Sequence, residues 1–233
     1  MSPGSGSRRT VWDLPLRLFH WLLLLSVTAA IVSGKWGGAA YALWHGRIGL
    51  LILGLLSFRL LWGLVGTRSA RFLSFWPTPA RLRRYFSGQW QGVGHSPLAG
   101  LAVLGLLFVL GAQVLSGLGA NDDIAFAGPL AAWLSKADSD ALSLWHQRLS
   151  SALLAMIMLH LLAIACYELL FQHRLLLAML SLRKRLNRER VAAAPAWRLL
   201  LALLLALASV YFVQQLGQVR TPAPQASVAT PAW

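Results

Sequence analysis

Acidic residues are scarce in this chain: seven Asp and Glu among 233 residues, with charged residues of both signs making up only 12%. A soluble domain carries about a quarter, so an ordinary soluble domain is excluded. Cysteine is scarcer still. The single Cys166 lies inside an apolar run, which excludes a disulfide, a multi-cysteine zinc site and covalent haem attachment through C-x-x-C-H. It reads as a small packing residue. What the chain has in quantity is hydrophobic surface, 57% of its residues, with a mean hydropathy of +0.60. Length here counts membrane spans of about 20 residues each rather than globular domains. The net charge of +14 sits mostly in connections between apolar runs, which favours a positively charged membrane surface over a nucleic-acid footprint.

Five runs are long and apolar enough to span: residues 15–34, 44–66, 98–117, 144–170 and 197–216. The first follows a Gly/Ser-rich tail with Arg8 and Arg9 and resembles a secretory signal. It also carries Arg17 and His20, for which a cleaved leader has no use, so it is read as a retained helix. Between the second and third runs lies a polar segment, 67–97, with five arginines. The connection 120–140 is acidic, holding Asp122, Asp123, Asp138 and Asp140 against Lys136. The basic SLRKRLNRER follows the fourth run, and a Pro/Ala-rich tail of low complexity follows the fifth.

Lys and Arg in the connections set orientation. With the N-terminus in the cytoplasm, fifteen of them fall on that side. Five (Lys35, Arg47, Lys136, Arg148 and Arg220) fall on the other, and Arg59 lies inside a span. The expected topology is N-terminus in, C-terminus out.

That topology gives each intramembrane histidine a depth. His146 and His160 are fourteen residues apart on the fourth span, about 21 Å along a helix and nearly in phase on one face. His20 lies in the cytoplasmic half of the first span and His45 near the outer end of the second. The depth-consistent pairs are His20 with His160 and His45 with His146. Two neutral imidazoles facing across a gap between helices suit a six-coordinate haem iron. Zinc is disfavoured, since neither cysteine nor carboxylate lies near. Arg59, fourteen residues after His45, falls near the inner level on nearly the same face, where a haem propionate would answer its charge. Arg17, one turn before His20, is a second candidate for the inner propionates, and Arg47 and Arg148 flank the outer pair; the alternative is that these arginines snorkel to headgroups. Gly46, Gly49 and Gly54 would admit a flat macrocycle or serve close helix packing. His95 and His173 sit at interfacial positions and are not placed among the ligands, although His95 is within reach of a quinone or a propionate.

At these residues the chain resembles the bacterial cytochrome b561 family, which includes the b-type cytochrome subunits of nickel-iron hydrogenases. The resemblance is carried by VWDLPLRLFHW at 11–21, LWHGRIG at 43–49, FRLLWGLVGTRSARF at 58–72, GHSPLAG at 94–100, ANDDIAFAGPLA at 120–131, LWHQRL at 144–149 and LH at 159–160. It implies an all-α membrane protein: a four-helix transmembrane haem-binding bundle over 14–175 with two b haems. His20, His45, His146 and His160 then stand in the ligand positions. Outside the resemblance lie the tail 1–13, the basic connection 176–196, a fifth C-terminal transmembrane helix at 197–216 and the tail 217–233. The family further implies electron transfer in the bacterial inner membrane between a redox partner and the quinone pool. The acidic outer connection would suit a basic periplasmic partner such as a cytochrome c, or be merely solvated. The rival function is a histidine-dependent proton or metal transporter, for which Glu168 is the only carboxylate candidate. A non-redox membrane scaffold would leave the four histidines unexplained.

Overall fold

The computed structural model describes residues 13–36, 38–90, 96–124, 126–170 and 194–219. Arg8 and Arg9, His95, His173, Arg220, the segment SLRKRLNRER and most of the C-terminal tail lie outside the described residues. The described chain is all-α. Its elements are α1 (Leu14–Trp36), α2 (Ala39–Val65), α3 (Phe72–Phe75), α4 (Pro79–Phe86), α5 (Pro97–Gly119), a 3₁₀ turn (Ala131–Trp133), α6 (Lys136–Leu169) and α7 (Ala196–Val219). Five of these, α1, α2, α5, α6 and α7, are long and apolar enough to cross a membrane.

Helix starts follow local chemistry. Asp13 accepts the Leu16 amide at 2.9 Å, and Pro15 occupies the first turn of α1, where its missing N–H costs nothing. Ser96 caps α5 by accepting the Ala99 amide, and Thr78 caps α4 by accepting that of Arg81. Ser135 caps α6 by accepting the Asp138 amide at 3.1 Å. That cap starts α6 at Lys136, earlier than its apolar run begins, so the polar first turns of α6 stand beyond the apolar part of the bundle. Gly38, at φ 87°, makes the left-handed turn joining α1 to α2, which a side chain would strain.

The bundle is two helix hairpins, α1–α2 and α5–α6, joined where α2 packs on α5; α7 lies along another side of α2. Neither α1 nor α2 packs its backbone extensively on α6, so the hairpins leave a gap between them. Hereafter the near end is the one where α1 begins and the far end the one where it finishes. One buried cluster, near the near end, joins Leu16, Phe19, Phe58, Trp62, Ala202 and Ala206. The other, deeper, joins Ile52, Leu56, Leu110, Val114, Leu118 and Leu153. Because α2 contributes to both, it is the central helix. Many leucines outside these clusters are exposed, which in lipid is their native setting.

Two polar knots close the ends. At the near end the Asp13 carboxylate also accepts from Trp62 Nε1 at 3.0 Å and from the Thr67 hydroxyl at 2.6 Å, tying the start of α1 to the end of α2. At the far end Asn121 donates to Ser139 and Asp140. Ser139 donates to the Gly119 carbonyl, and Ser143 donates to that of Asn121. The acidic connection is thus fastened to α5 and α6 rather than hanging free.

Candidate functional site: two levels of paired histidines

Two of the histidines meet across the gap. His45 on α2 and His146 on α6 lie with ring centres 5.9 Å apart and planes at 89°. Each ring is oriented by a backbone carbonyl. His45 Nδ1 donates to the Ala30 carbonyl on α1 at 2.9 Å, and His146 Nδ1 donates to the Gln113 carbonyl on α5 at 2.9 Å. A carbonyl can only accept, so Nδ1 carries the proton in both rings and Nε2 is left with a lone pair. The Gln113 side-chain amide donates to His146 Nε2 at 3.2 Å, which agrees with that tautomer. The Gln113 Oε1 beside it is buried without a partner.

Toward the near end, His20 on α1 lies within electrostatic reach of His160 on α6. The His20 Nδ1 is buried and has no hydrogen-bond partner, an uncompensated polar atom of the kind that marks a ligand-holding position. His146 and His160 are fourteen residues apart on one continuous helix, so the two pairs stand about 21 Å apart along α6. All four rings are half-buried. Among the described residues no three His, Cys, Asp or Glu converge to hold a metal ion; the imidazoles come in twos.

The arginines fall less uniformly. Arg59 is buried, 3% exposed. Its guanidinium donates to the Ala70 carbonyl at 3.3 Å and lies 4.5 Å from the centre of the Phe72 ring, with Asp13 in electrostatic range. It belongs to the near-end knot. Arg17 is half-buried on the first turns of α1. Arg47 and Arg148 are exposed beside the far pair, each guanidinium over the preceding indole, 5.2 Å from Trp44 and 5.7 Å from Trp145. Asp13, Gln113 and two serines, Ser33 and Ser116, join the site without having been among the sequence-predicted residues. Each of these serines stands 3.3 Å from a histidine Nδ1. The Ser-Gly pairs stand ahead of each Trp-His but at unequal distances, which hides them as a repeat.

These residues fit a haem. Two imidazoles bound on opposite sides of one iron, each through a bond of about 2 Å, stand with ring centres about 6 Å apart. The far pair meets that separation, with both Nδ1 atoms already committed to carbonyls, the arrangement that leaves Nε2 as the metal-binding nitrogen; at His146 the Gln113 amide that bonds this nitrogen would have to turn aside. One turn from His45, a Cβ on Gly49 would meet nothing within 4 Å, so a flat group has room there. At the near level the buried His20 Nδ1 has no such carbonyl, so the anchored tautomer belongs to the far pair.

Membrane-spanning helices that bring imidazoles together across a gap define the membrane cytochrome class. Residues 11–182 match the family described as prokaryotic cytochrome b561, and the chain belongs to that family. It is similar to the probable Ni/Fe-hydrogenase 1 B-type cytochrome subunits of Escherichia coli K12 and of Escherichia coli O157:H7, at 24% identity to each over 137 residues. The match covers 46% of this chain and 57% of each relative, so it spans little more than half their length. No solved structure matches the chain. Its five apolar helices and its family make it a multi-pass membrane protein, and haem b is the group the family implies.

Proposed function

We propose that this chain is a dihaem cytochrome b of the bacterial inner membrane, carrying electrons between a periplasmic redox partner and the quinone pool. His45 and His146 would hold one haem b at the far, periplasmic level. His20 and His160 would hold the other at the near, cytoplasmic level. Each bound haem supplies a one-electron iron couple. The protein's part is to hold the imidazoles in the correct tautomer, to keep the pairs at separate depths and to exclude water from between the hairpins. The arginine excess on the near side supports an N-terminus in the cytoplasm. The acidic connection 120–140, fastened by Asn121 and Ser139, is the face offered to a basic partner. A hydrogenase-type redox subunit is the alternative occupant, by analogy with the relatives' name. Arg17, Arg47 and Arg148 are the cations proposed to answer the propionates, and Arg59 would do so only by leaving its place in the near-end knot.

The observation that carries this reading is the His45–His146 pair, 5.9 Å apart with both Nδ1 atoms bonded to backbone carbonyls. A transporter relay draws no comparable support, since Glu168 lies in the last turns of α6 beyond His160 and no carboxylate stands between the histidine levels. The test is the haem-to-protein ratio of the purified full chain, read with a reduced-minus-oxidised spectrum. Two haems are expected, and His45→Ala and His20→Ala should each remove about one. A colourless protein, or one whose haem content survives both substitutions, would reject the assignment.

A further inference from the structure

The far histidines are held by the same set of contacts twice. In the first hairpin the sequence AIVSG ends with Ser33 and Gly34 on α1; in the second, QVLSG ends with Ser116 and Gly117 on α5. Ser33 Oγ donates chiefly to the Ala29 carbonyl at 2.8 Å, with the Ala30 carbonyl at 3.2 Å, and lies 3.3 Å from His45 Nδ1. Ser116 Oγ donates to the Gln113 carbonyl at 3.0 Å and lies 3.3 Å from His146 Nδ1. In each hairpin the hydroxyl and the imidazole thus converge on the carbonyl three residues before the serine, as the hydroxyl's acceptor in the second hairpin and as its longer, second contact in the first. The following glycine carries the edge of the same ring. A Cβ on Gly34 would stand 3.0 Å from His45 Cε1, and one on Gly117 would stand 2.8 Å from His146 Cε1. The tryptophan before each histidine stacks under the arginine two residues after it.

We infer that Ser33-Gly34 and Ser116-Gly117 are paired positioning residues for the far haem, one ligand-holding module built twice, and that together they fix its two axial imidazoles with their planes crossed. The inference rests on the dihaem reading above and adds to it the residues that set ligand geometry. Each ring is fixed at one corner by the shared carbonyl and pressed along one edge by the glycine, so it cannot rotate about its Cβ–Cγ bond without losing one or meeting the other. Since α1 and α5 traverse the bundle in the same direction, the two anchors approach the gap from separate helices, consistent with the 89° between the rings. The near level does not repeat the device. The position fourteen residues after His45 is Arg59, where the second hairpin has His160, and His20 has no anchor on Nδ1. The two haems should therefore differ in how rigidly their ligands are held.

Crossed axial imidazoles give a low-spin ferric haem a strongly anisotropic electron paramagnetic resonance signal, which relaxes as the planes turn parallel. The experiment uses the purified full chain with haem bound, and records haem stoichiometry and this signal. Gly34→Ala and Gly117→Ala are each expected either to lose the far haem, taking the ratio from about two to about one, or to displace its signal while the near haem's is unchanged. The surviving near haem shows that the variant is folded. Ser33→Ala and Ser116→Ala, which cost no space, should shift the same far-haem signal and midpoint potential, both in the same direction. As a control, Gly105→Ala, whose Cβ meets only the Met156 methyl, should leave both haems as in the wild type. Two haems with wild-type signals in both glycine variants would overturn the inference while leaving the dihaem reading intact. A wild-type protein without a far haem would remove that reading and this inference with it.

Discussion

Asp13→Ala should unlock the near end of the bundle. The carboxylate accepts three bonds, from the Leu16 amide, Trp62 Nε1 and the Thr67 hydroxyl, and its charge reaches buried Arg59. Trp62 and Thr67 are 2% and 6% exposed, so truncation leaves the Trp62 donor without an acceptor and the Thr67 hydroxyl with only that of Ser69, 3.3 Å away. Each such loss costs about 1–3 kcal/mol, and the lost helix cap about 1 kcal/mol. The sum is a destabilisation on the order of 4 kcal/mol. Asp13→Asn, which keeps one acceptor oxygen but loses the charge, should fall between wild type and Asp13→Ala. The assay is unfolding of the full chain in mixed detergent micelles, followed by helix content and by release of haem. His20 lies two turns into the helix that Asp13 starts, so the near haem should be released first. An Asp13→Ala protein within about 0.5 kcal/mol of wild type, or one that sheds the far haem first, would refute this account of the near end.

Two further outcomes follow from packing and from the far-end knot. Ala206 is 6% exposed within the cluster that α7 shares with α1 and α2, so Ala206→Leu should overpack that seam and destabilise by about 1–3 kcal/mol; haem stoichiometry should be unchanged, because no histidine lies on α7. Asn121→Ala removes the donor to Ser139 and Asp140 and should open the connection 120–135 to limited proteolysis several-fold faster than wild type, with both haems retained.

The spans and the histidine depths were legible because both are one-dimensional: a run of apolar residues long enough for a bilayer, and a count of residues along it. The start of α6 at Lys136 was not, because its polar first turns depend on the Ser135 cap rather than on hydropathy. The connection 67–97 reads as a polar loop, yet it holds α3 and α4; Thr78-Pro79 is the capping signal that marks the second. Register placed Arg59 at depth on α2, and it is buried there. Where its guanidinium goes was set by the return of 67–72, which lays Phe72 over Gly63 and brings the Ala70 carbonyl to Arg59, a tertiary closure no periodicity encodes. The doubled Ser-Gly module was hidden by spacing. Serine and histidine are twelve residues apart in the first hairpin and thirty in the second, so only the Trp-His recurrence is visible to the eye.

The fifth helix can now be assigned a place. Lipid gives apolar helices no hydrophobic reason to associate, so a helix stays beside another only where small residues and hydrogen bonds hold it. On α7, Ala202 and Ala206 are buried, Ser209 donates to Ser57 on α2 at 3.0 Å, and Val210 sits against Gly54. Its near end is tied by Arg198, which donates to the Val65 carbonyl. At its far end the Leu216 carbonyl accepts from Trp133 Nε1 at 2.9 Å, joining α7 to the acidic connection. Gly54 lies nine residues beyond His45, half a turn out of phase, so α7 covers the side of α2 that faces away from the histidines. The helix that carries His45 is thereby held on opposite flanks, by α7 on one and by the α1 anchor of His45 on the other. Those attachments make α7 a cover for α2 and remove that face from the surfaces on which a partner helix can dock.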